Sequence, residues 1–427
     1  MKQKTLPFTK EQVQGLAKKH PTPFYIYHEK GMKETARGLN GAFSWVPRGF
    51  RNYFAVKACP NPHILEILKN EGFGADCSSL PELMLAEMVG MRGHDIMFTS
   101  NDTPAGEFVR AKALGAIINL DDITHLGFLE THAGLPDLIC FRYNPGASRE
   151  GNAIIGKPEE AKYGVPGDRI FEAYHEAFSR GIRRFGLHTM IASNELNPQY
   201  FVDTAKMLLG ISARLSEQGI SVGFINTGGG IGIPYRPEQD AVDLRLVSKG
   251  IHEEYAKLSG AFASLPRLFM ECGRLITGPH GYLVSTVRHV TKKHKHYVGM
   301  DACMANLMRP ALYGAYHHIT VLGKEGQPGD CRYDVTGSLC ENNDKFAIDR
   351  DLPEIRQGDV LVFHDAGAHG YAMGFQYNGK LRCAEFLLTE DGEFRMIRRA
   401  ERISDYLSTF DFEGSRFASA GKAAGSG

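Results

Sequence analysis

Hydrophobic and polar positions repeat one unit from about residue 50 onward: a short apolar segment, a turn, and then apolar residues at helical spacing. Helical stripes include Ile64, Leu65, Ile67 and Leu68, and later Phe201, Ala205, Leu208 and Leu209. The predicted strands are Phe50–Lys57, Gly74–Ser79, Asp95–Asn101, Ala116–Asp122, Leu138–Gly146, Arg183–Met190, Ser221–Gly230 and Arg267–Arg274. Eight strand–helix units in about 230 residues predict an α/β fold, a (β/α)8 TIM-type barrel. A doubly wound sheet is the alternative, but it usually has fewer strands.

After Pro279 the pattern changes, and apolar segments follow one another without helices between them. The predicted strands here are Tyr282–Val290, Ile319–Leu322, Asp359–Phe363 and Lys380–Leu388, and Phe386–Ile397 reads as a hairpin that turns at Asp391-Gly392. They predict a second, C-terminal all-β domain, and the early strand Phe24–Tyr27 fits either part. We expect a barrel domain over 29–279, a β domain over 1–28 and 280–412, and a disordered tail over 413–427.

Charge and cysteine content narrow the class of protein. The 427 residues carry 49 basic and 49 acidic side chains, so nothing favours nucleic acid or an anionic membrane as a partner. The eight cysteines are scattered without a CxxC pair, and the first residues lack the apolar core of a signal peptide. We therefore expect a cytoplasmic protein. No metal is expected either, because the His294/His296 and His317/His318 pairs have no acidic partner at ligand spacing.

Polar residues at the predicted strand ends are candidates for chemistry, since barrel active sites lie at the carboxyl ends of the strands. Lys57 ends an apolar strand, where desolvation would lower the pKa of its amine and allow a Schiff base; a lysine that reaches solvent is the equally weighted alternative. The three glycines in NTGGGIGIPY suit an anion or a tight turn. Glu271 and Arg274 suit a cofactor nitrogen and a substrate carboxylate, or a structural ion pair with each other. The P-loop-like segment at 151–157 is discarded, because Pro158 replaces the required Ser or Thr.

At Lys57 the sequence also resembles a family. YFAVKACPNPHIL is similar to the lysine segment of the fold-type III, alanine-racemase-like decarboxylases that use pyridoxal 5'-phosphate (PLP), and above all to that of the diaminopimelate decarboxylase family. Further similar segments occur in the family's order, from TPFYIY near the start to YNGKLRCAE near the end. They are GADCSSLPEL, RYNPG, TGGGIGI, ECGR, MRPALYGAYH, CENND and DAGAHGYAMGF.

The resemblance implies a PLP enzyme that decarboxylates meso-diaminopimelate to lysine and works as a homodimer with shared active sites. It implies that Lys57 carries the cofactor, that Gly228, Gly229 and Gly230 hold its phosphate, and that Glu271 pairs with its ring nitrogen. The remaining implied cofactor contacts are Asp76, His188, Ser193, Gly273, Arg274 and His369. Arg274, Arg309, Tyr313 and Glu341 would bind the substrate, with Cys340 as the catalytic acid and Cys340 and Glu341 supplied by a partner subunit.

Five positions depart from the family pattern. Met190 replaces a histidine that stacks on the cofactor, His369 replaces a tyrosine, Cys272 replaces a proline, and Asn342-Asn343 replaces Ser-Gly. Altered substrate preference therefore stays open, and decarboxylation of ornithine, arginine or carboxynorspermidine is the alternative function. A non-catalytic PLP-binding homologue is disfavoured, because a pure binder needs no proton donor at Cys340.

Overall fold

The computed structural model describes residues 4–149 and 156–411. The predicted tail over 413–427, and most of the discarded P-loop-like segment, lie outside the described residues.

The described chain alternates strands with helices and then continues mainly as strands. The strands are β1 (Phe24–His28), β2 (Phe50–Ala55), β3 (Gly74–Cys77), β4 (Ile96–Thr99), β5 (Ile117–Leu120), β6 (Leu138–Asn144), β7 (Val165–Pro166), β8 (Arg184–His188), β9 (Val222–Asn226), β10 (Arg267–Met270), β11 (Gly281–Lys292), β12 (His296–Met300), β13 (Ile319–Val321), β14 (Cys331–Thr336), β15 (Lys345–Leu352), β16 (Val360–Phe363), β17 (Ala384–Leu388) and β18 (Phe394–Arg398). The helices are α1 (Lys10–Lys19), α2 (Glu29–Ala42), α3 (Pro62–Asn70), α4 (Leu80–Met88), α5 (Ala105–Ala113), α6 (Thr124–Ala133), α7 (Arg169–Ser179), α8 (Pro198–Glu217), α9 (Leu244–Leu258), α10 (Arg274–Thr277), α11 (Arg309–Tyr313) and α12 (Ile403–Leu407).

Eight parallel strands close into a barrel. Their order is β5-β4-β3-β2-β10-β9-β8-β6, and the pairing of β5 with β6 completes the circle. Strands such as Ile96–Thr99 and Ile117–Leu120 are buried at every position, as expected for parallel strands covered on both faces. Asn61 and Asn197 cap the following helices, which each begin with a proline. The predicted barrel is confirmed.

The second unit is a mixed sheet. Its main path runs β15-β14-β12-β11-β1-β17-β18, while β16 joins β11 to β13. Strand β1 pairs antiparallel with β11 and parallel with β17, which assigns the early strand to this unit. The hairpin of β17 and β18 turns at Asp391-Gly392, where Gly392 has φ +88° and so adopts a conformation that glycine favours. The predicted second β domain is confirmed as a fold.

Contacts cluster into two units. The first comprises Glu29–His280 with Gly367–Ala372, and the second comprises residues 4–28, Gly281–Ala366 and 373–411. Gly367–Ala372 thus groups with the barrel, whereas the sequence interpretation assigned it to the β domain. The boundaries expected from the sequence, a barrel domain over 29–279 and a β domain over 1–28 and 280–412, remain a proposal. Within the part of the chain that the structure describes, no helix is long and apolar enough to cross a membrane.

Two predictions about local structure are wrong. Lys57 lies in a 3-10 turn, Val56–Ala58, after β2 has ended at Ala55, and not inside the strand. Strands β12, β14 and β15 were not predicted, and several predicted strands extend one to four residues too far, as with Lys380–Leu388 against the observed Ala384–Leu388.

Candidate active site

Lys57 and Asp76 form the first pair of the site. Asp76 lies within β3 and Lys57 lies just after the neighbouring parallel strand β2, and the register of the two strands sets Ala55 beside Asp76. The Nζ of Lys57 lies 3.6 Å from Oδ2 of Asp76, and the lysine side chain is 48% exposed while the aspartate is buried. Neither carboxylate oxygen of Asp76 has a hydrogen-bond partner among the described residues. A buried carboxylate in this state is costly, and it indicates a position built for a further group.

The charge on Lys57 differs from the sequence-based expectation. Burial acts to lower the pKa of Lys57, but the carboxylates of Asp76 and Glu271 outweigh it and hold the pKa above its ordinary value. The prediction of a lowered pKa is therefore wrong. The pKa of Asp76 is raised as well: burial and the charge of Glu271 hold it well above the usual carboxyl range, although Lys57 opposes them.

Glu271 follows β10 and is buried in a chain of hydrogen bonds. Its Oε2 accepts from Nε2 of His188 at 3.1 Å, and its Oε1 accepts from the amide of Asn226 at 2.8 Å. The side-chain N–H of Asn119 lies 2.8 Å from Nδ1 of His188, so Nδ1 acts as the acceptor. The ring proton is therefore on Nε2, which donates the hydrogen bond to Glu271. Burial alone would raise the pKa of Glu271, but His188, and then Lys57 and Arg142, hold it below the usual range. Glu271 is thus a buried carboxylate kept ionised.

The three glycines after β9 leave no room for side chains. A Cβ on Gly228 would lie 2.4 Å from the carbonyl oxygen of Thr189, one on Gly229 would lie 2.4 Å from that of Glu271, and one on Gly230 would lie 2.6 Å from Cβ of Ala192. Gly228 and Gly230 also have φ of +70° and +93°. Among the described residues, the N–H of Gly229 donates only to the thioether of Met190, at 3.2 Å, which is a weak acceptor. The loop therefore exposes backbone in the way an anion cradle requires.

Arg274 follows the same strand as Glu271 but does not pair with it. Its Nη1 donates to the hydroxyl of Tyr235 at 2.7 Å and its Nη2 to Oγ of Ser193 at 3.4 Å. No carboxylate pairs with this buried guanidinium in the described part of the chain, so the structural ion pair with Glu271 is excluded there. The neutral partners orient Arg274 and leave its charge for a ligand.

Gly273 and His369 complete the predicted barrel contacts. A Cβ on Gly273 would lie 2.8 Å from Cβ of Ala58, so the glycine allows the chain to pass close to the turn that holds Lys57. The N–H of His369 donates to the carbonyl of Ala58 at 2.8 Å, and its φ is +55°. The returning segment Gly367–Ala372 is thereby attached to the same turn.

These residues fit a PLP cofactor. They offer a lysine amine for its aldehyde, an ionised buried carboxylate for a protonated ring nitrogen, and a side-chain-free backbone loop for its phosphate. The unsatisfied oxygens of Asp76 provide a further buried polar position for it.

The other predicted residues belong to the second unit. Arg309 begins α11, is buried, and lies with Nη1 3.0 Å from Nε2 of His317. His317 in turn uses Nδ1 toward the carbonyl of His364 at 2.8 Å. Tyr313 is 42% exposed, and Cys340 and Glu341 are exposed. The backbone N–H of Cys340 donates to Oδ1 of Asn378 at 2.8 Å, which fixes the chain next to its thiol.

Sequence reasoning missed Asn119, Asn226 and Tyr235. Asn119 and Asn226 are single buried amides within apolar strands, and each side chain bonds directly to His188 or Glu271. A polar residue inside IINL or VGFIN was the available signal. Tyr235 gave no such signal, because a tyrosine after a glycine loop has many structural roles.

Comparison with known proteins defines the class. Residues 37–278 match the family described as pyridoxal-dependent decarboxylase, pyridoxal binding domain. The chain therefore belongs to the PLP-dependent amino-acid decarboxylases, and PLP is its cofactor.

Particular relatives are similar over nearly the whole chain. The chain is 45% identical to Protein TabA of Pseudomonas amygdali pv. tabaci over 93% of both. It is 37% identical to the diaminopimelate decarboxylase of Methanothermobacter thermautotrophicus over 92% of both. The crystal structure of M. jannaschii diaminopimelate decarboxylase in co-complex with L-lysine superposes with a TM-score of 0.87, at 28% identity and over 94% of both chains.

Proposed function

We propose that this decarboxylase converts meso-2,6-diaminopimelate to L-lysine and CO2. The observation that carries the proposal is Arg274, a buried guanidinium held by two neutral hydroxyls and paired with no carboxylate in the described residues. A buried cation in this state suits a ligand carboxylate. Diaminopimelate has a second carboxylate at its distal end, whereas ornithine and arginine have only a cationic group there.

The residues divide the work as follows. Bound PLP supplies the electron sink that accepts the electron pair left when the α-carboxylate departs as CO2. Glu271 keeps a proton on the ring nitrogen, because its own pKa is held low and it is oriented by His188 and Asn226. Lys57 anchors the cofactor, and Gly228, Gly229 and Gly230 hold its phosphate.

Residues of the second unit complete the proposed chemistry. Cys340 donates the proton that replaces CO2 at Cα, and Glu341 and Tyr313 bind the distal end of the substrate. Arg309 shares the distal carboxylate with Arg274, and its contact with His317 holds the plane of its guanidinium. We also propose that the protein is a homodimer. We place it in the cytoplasm, which its eight cysteines, all without disulfides, support.

Substrate assays test the proposal directly. The PLP-loaded protein is incubated with diaminopimelate, lysine, ornithine and arginine, and CO2 and the amine products are measured. We expect CO2 and L-lysine from diaminopimelate, with far slower release from the others. Turnover of ornithine or arginine in preference to diaminopimelate would contradict the proposal.

Arg274→Ala tests the role of the distal carboxylate. The variant leaves that carboxylate without a charge-assisted partner, which costs roughly 2–5 kcal/mol, so kcat/KM for diaminopimelate should fall by about 30-fold or more. Residual activity on lysine or ornithine should change much less. Cofactor absorbance is measured in parallel, because Arg274 is also a predicted cofactor contact. Equal losses on all substrates at full cofactor occupancy would contradict the assignment.

A second candidate is the same reaction on a different amino acid. It is favoured by the higher identity to Protein TabA than to the diaminopimelate decarboxylase of M. thermautotrophicus, 45% against 37%. Met190 lies beside the glycine loop, with its thioether 3.2 Å from the N–H of Gly229, and it replaces the usual stacking histidine of the family. The same substrate panel separates the two candidates.

A further inference from the structure

A second cavity, of about 300 Å³, opens at the amino-terminal face of the barrel. The parallel strands begin at this face, whereas the candidate active site follows their carboxyl ends. Its floor is apolar and includes Tyr53, Phe224 and Phe269, with the last two rings stacked at 4.4 Å. Its rim carries five arginines, Arg48, Arg51, Arg183, Arg184 and Arg267, which we call the arginine pocket.

The arginine pocket has a large excess of positive charge. No aspartate or glutamate is among the residues that line it. Asp95 is adjacent and pairs with Arg51 at 2.8 Å, but the other four arginines pair with no carboxylate in the described residues. Because the whole chain has 49 basic and 49 acidic side chains, this local excess is not a reflection of overall composition.

Two further observations bear on these charges, although Arg48 donates to Oγ of Ser264 and Arg183 donates to the carbonyls of Phe178 and Ile182. The Nε atoms of Arg51 and Arg267 are buried, and neither Nε has a hydrogen-bond partner among the described residues. Partial burial, and then the charges of Arg184 and Arg267, lower the pKa of His94, which also lines the cavity. Buried donors without partners are rare in folded proteins, and a positive potential of this kind attracts anions.

Stacking on aromatic rings accounts for only some of these arginines. Arg267 lies 4.9 Å from the ring centre of Phe269, Arg51 lies 5.4 Å from that of Tyr53, and Arg183 lies 4.0 Å from that of Phe178. Arg184 is exposed and has no stacking, hydrogen-bond or ion-pair partner among the described residues. A role of the arginines in covering the end of the barrel core would therefore not explain Arg184.

We propose that the arginine pocket is a binding site for a small metabolite with two or more phosphate or carboxylate groups. Guanidinium groups recognise both phosphate and carboxylate through paired hydrogen bonds. Five arginines around one cavity carry more positive charge than a ligand with a single negative charge would neutralise. The volume lies at the lower end of the range for small-molecule sites.

The arginine pocket and the candidate active site lie at opposite ends of the same strands. Strand β2 has Arg51 near its start and Lys57 just after its end. Strand β8 has Arg184 and His188 at its two ends, and β10 begins at Arg267 and is followed by Glu271. Four residues of strand span about 13 Å, so a bound anion would not occupy the cofactor site.

Calorimetric titration of the PLP-loaded enzyme tests the proposal, with pyrophosphate and citrate as probes at 150 mM KCl. We expect at least one probe to bind with a Kd below roughly 1 mM, and which one binds distinguishes phosphate from carboxylate ligands. Arg184→Gln should weaken binding by roughly tenfold, the loss of one charge-assisted contact, and Arg183→Gln/Arg184→Gln should weaken it further. Both arginines are exposed, so these variants should fold.

Arg245→Gln is the matched control, because it removes the same charge from a side chain that is 93% exposed on α9, outside the pocket. It should bind the probes as the wild type does. Binding of neither probe, or equal affinity in the wild type and in both pocket variants, would overturn the proposal, since the anion would then be absent or held at the cofactor site. An equal loss in Arg245→Gln would overturn it too, because it would show attraction by net charge alone.

Discussion

Asp76 and Glu271 are both buried next to Lys57, but their pKa values move in opposite directions because their other neighbours differ. Glu271 accepts hydrogen bonds from His188 and Asn226, so it stays ionised. Asp76 has Lys57 at 3.6 Å, and burial, followed by the charge of Glu271, raises its pKa well above the usual carboxyl range. Different neighbours thus shift the pKa values of two carboxylates beside one lysine in opposite directions, which is one way in which paired acids acquire separate roles.

Lys57 should be the residue that carries PLP. The purified protein should show a visible absorbance band of bound PLP, and borohydride should fix a pyridoxyl label on the peptide that contains Lys57. Lys57→Ala should lack the band. The control is Lys206→Ala, which removes an exposed lysine from α8 and should keep both band and label. A label that maps to another lysine by mass spectrometry would refute the assignment.

Gly229→Ala should weaken PLP binding by at least about tenfold. The added Cβ would lie 2.4 Å from the carbonyl of Glu271, so the phosphate loop and the carboxylate for the ring nitrogen would both have to shift. Gly210→Ala is the matched control, because Gly210 lies within α8 with nothing within 4 Å of its Cβ. It should retain PLP affinity and stabilise the helix by about 0.5–1 kcal/mol. Equal PLP affinity in both variants would contradict the cradle.

At the scale of elements, sequence periodicity identified the barrel strands but missed β12, β14 and β15 of the second unit. The barrel strands are short and apolar throughout, so the pattern alone locates them. Strand β14 contains the buried Asp334, which pairs with Lys295 at 3.1 Å and with Lys345 at 3.2 Å. Since both partners come from other segments, CRYDVT gives no local sign of a strand.

The same reasoning applies to the candidate site. The positions of Lys57, Glu271 and the glycines follow from strand ends and from family resemblance. The hydrogen bonds of Asn119 to His188 and of Asn226 to Glu271 depend on which strands are neighbours, and this is set by barrel closure. The raised pKa of Lys57 likewise depends on Asp76 within β3 and on Glu271 just after β10.

The segment after β16 should make stability pH-dependent. Burial, and then the nearby charges of His318 and Lys4, lower the pKa of His364 to about 3, so the native state binds fewer protons than the unfolded chain between about pH 3 and 6.5. Stability should therefore rise with pH across this window and be lost on acidification, by up to roughly 5 kcal/mol from this histidine alone. Asp365, whose pKa burial raises to about 6, acts in the opposite direction and offsets part of the effect.

His364→Gln isolates the contribution of the histidine. The glutamine amide can keep the hydrogen bond to Oγ1 of Thr320, which His364 makes at 2.8 Å, but it does not titrate. Urea denaturation from pH 4.5 to 7 should show a smaller rise in the free energy of unfolding for the variant than for the wild type. The exposed His175→Gln serves as the control and should follow the wild type. Parallel curves for wild type and His364→Gln would contradict the expectation.

At the scale of the whole molecule, the candidate residues are divided between the two units. The barrel unit carries those predicted to hold the cofactor, and the second unit carries Arg309, Tyr313, Cys340 and Glu341. Such a division allows the chemistry of one protein to be supplied by two chains. The resemblance to the decarboxylase family predicts this arrangement, with Cys340 and Glu341 serving the barrel of a partner.

Mixed dimers of two inactive variants test the shared site. Lys57→Ala and Cys340→Ala chains are purified separately, mixed, and allowed to exchange subunits. If each site takes Lys57 from one chain and Cys340 from the other, then one site of a mixed dimer receives both lesions and the other receives neither. Random exchange of equal amounts gives mixed dimers in about half of the population, each with one intact site of two, so activity should return to about a quarter of the wild-type value.

The controls decide how this result is interpreted. Mixing Lys57→Ala with Glu271→Gln should restore nothing, because both residues belong to the barrel of one chain and every mixed dimer keeps one lesion in each site. Cys340→Ala must itself be severely impaired, and nearly full activity in that variant would exclude Cys340 as the proton donor. Recovery only in the Lys57 and Cys340 mixture requires both a dimer and a site built from two chains. If neither mixture recovers although native mass spectrometry shows exchanged dimers, each site is formed within one chain.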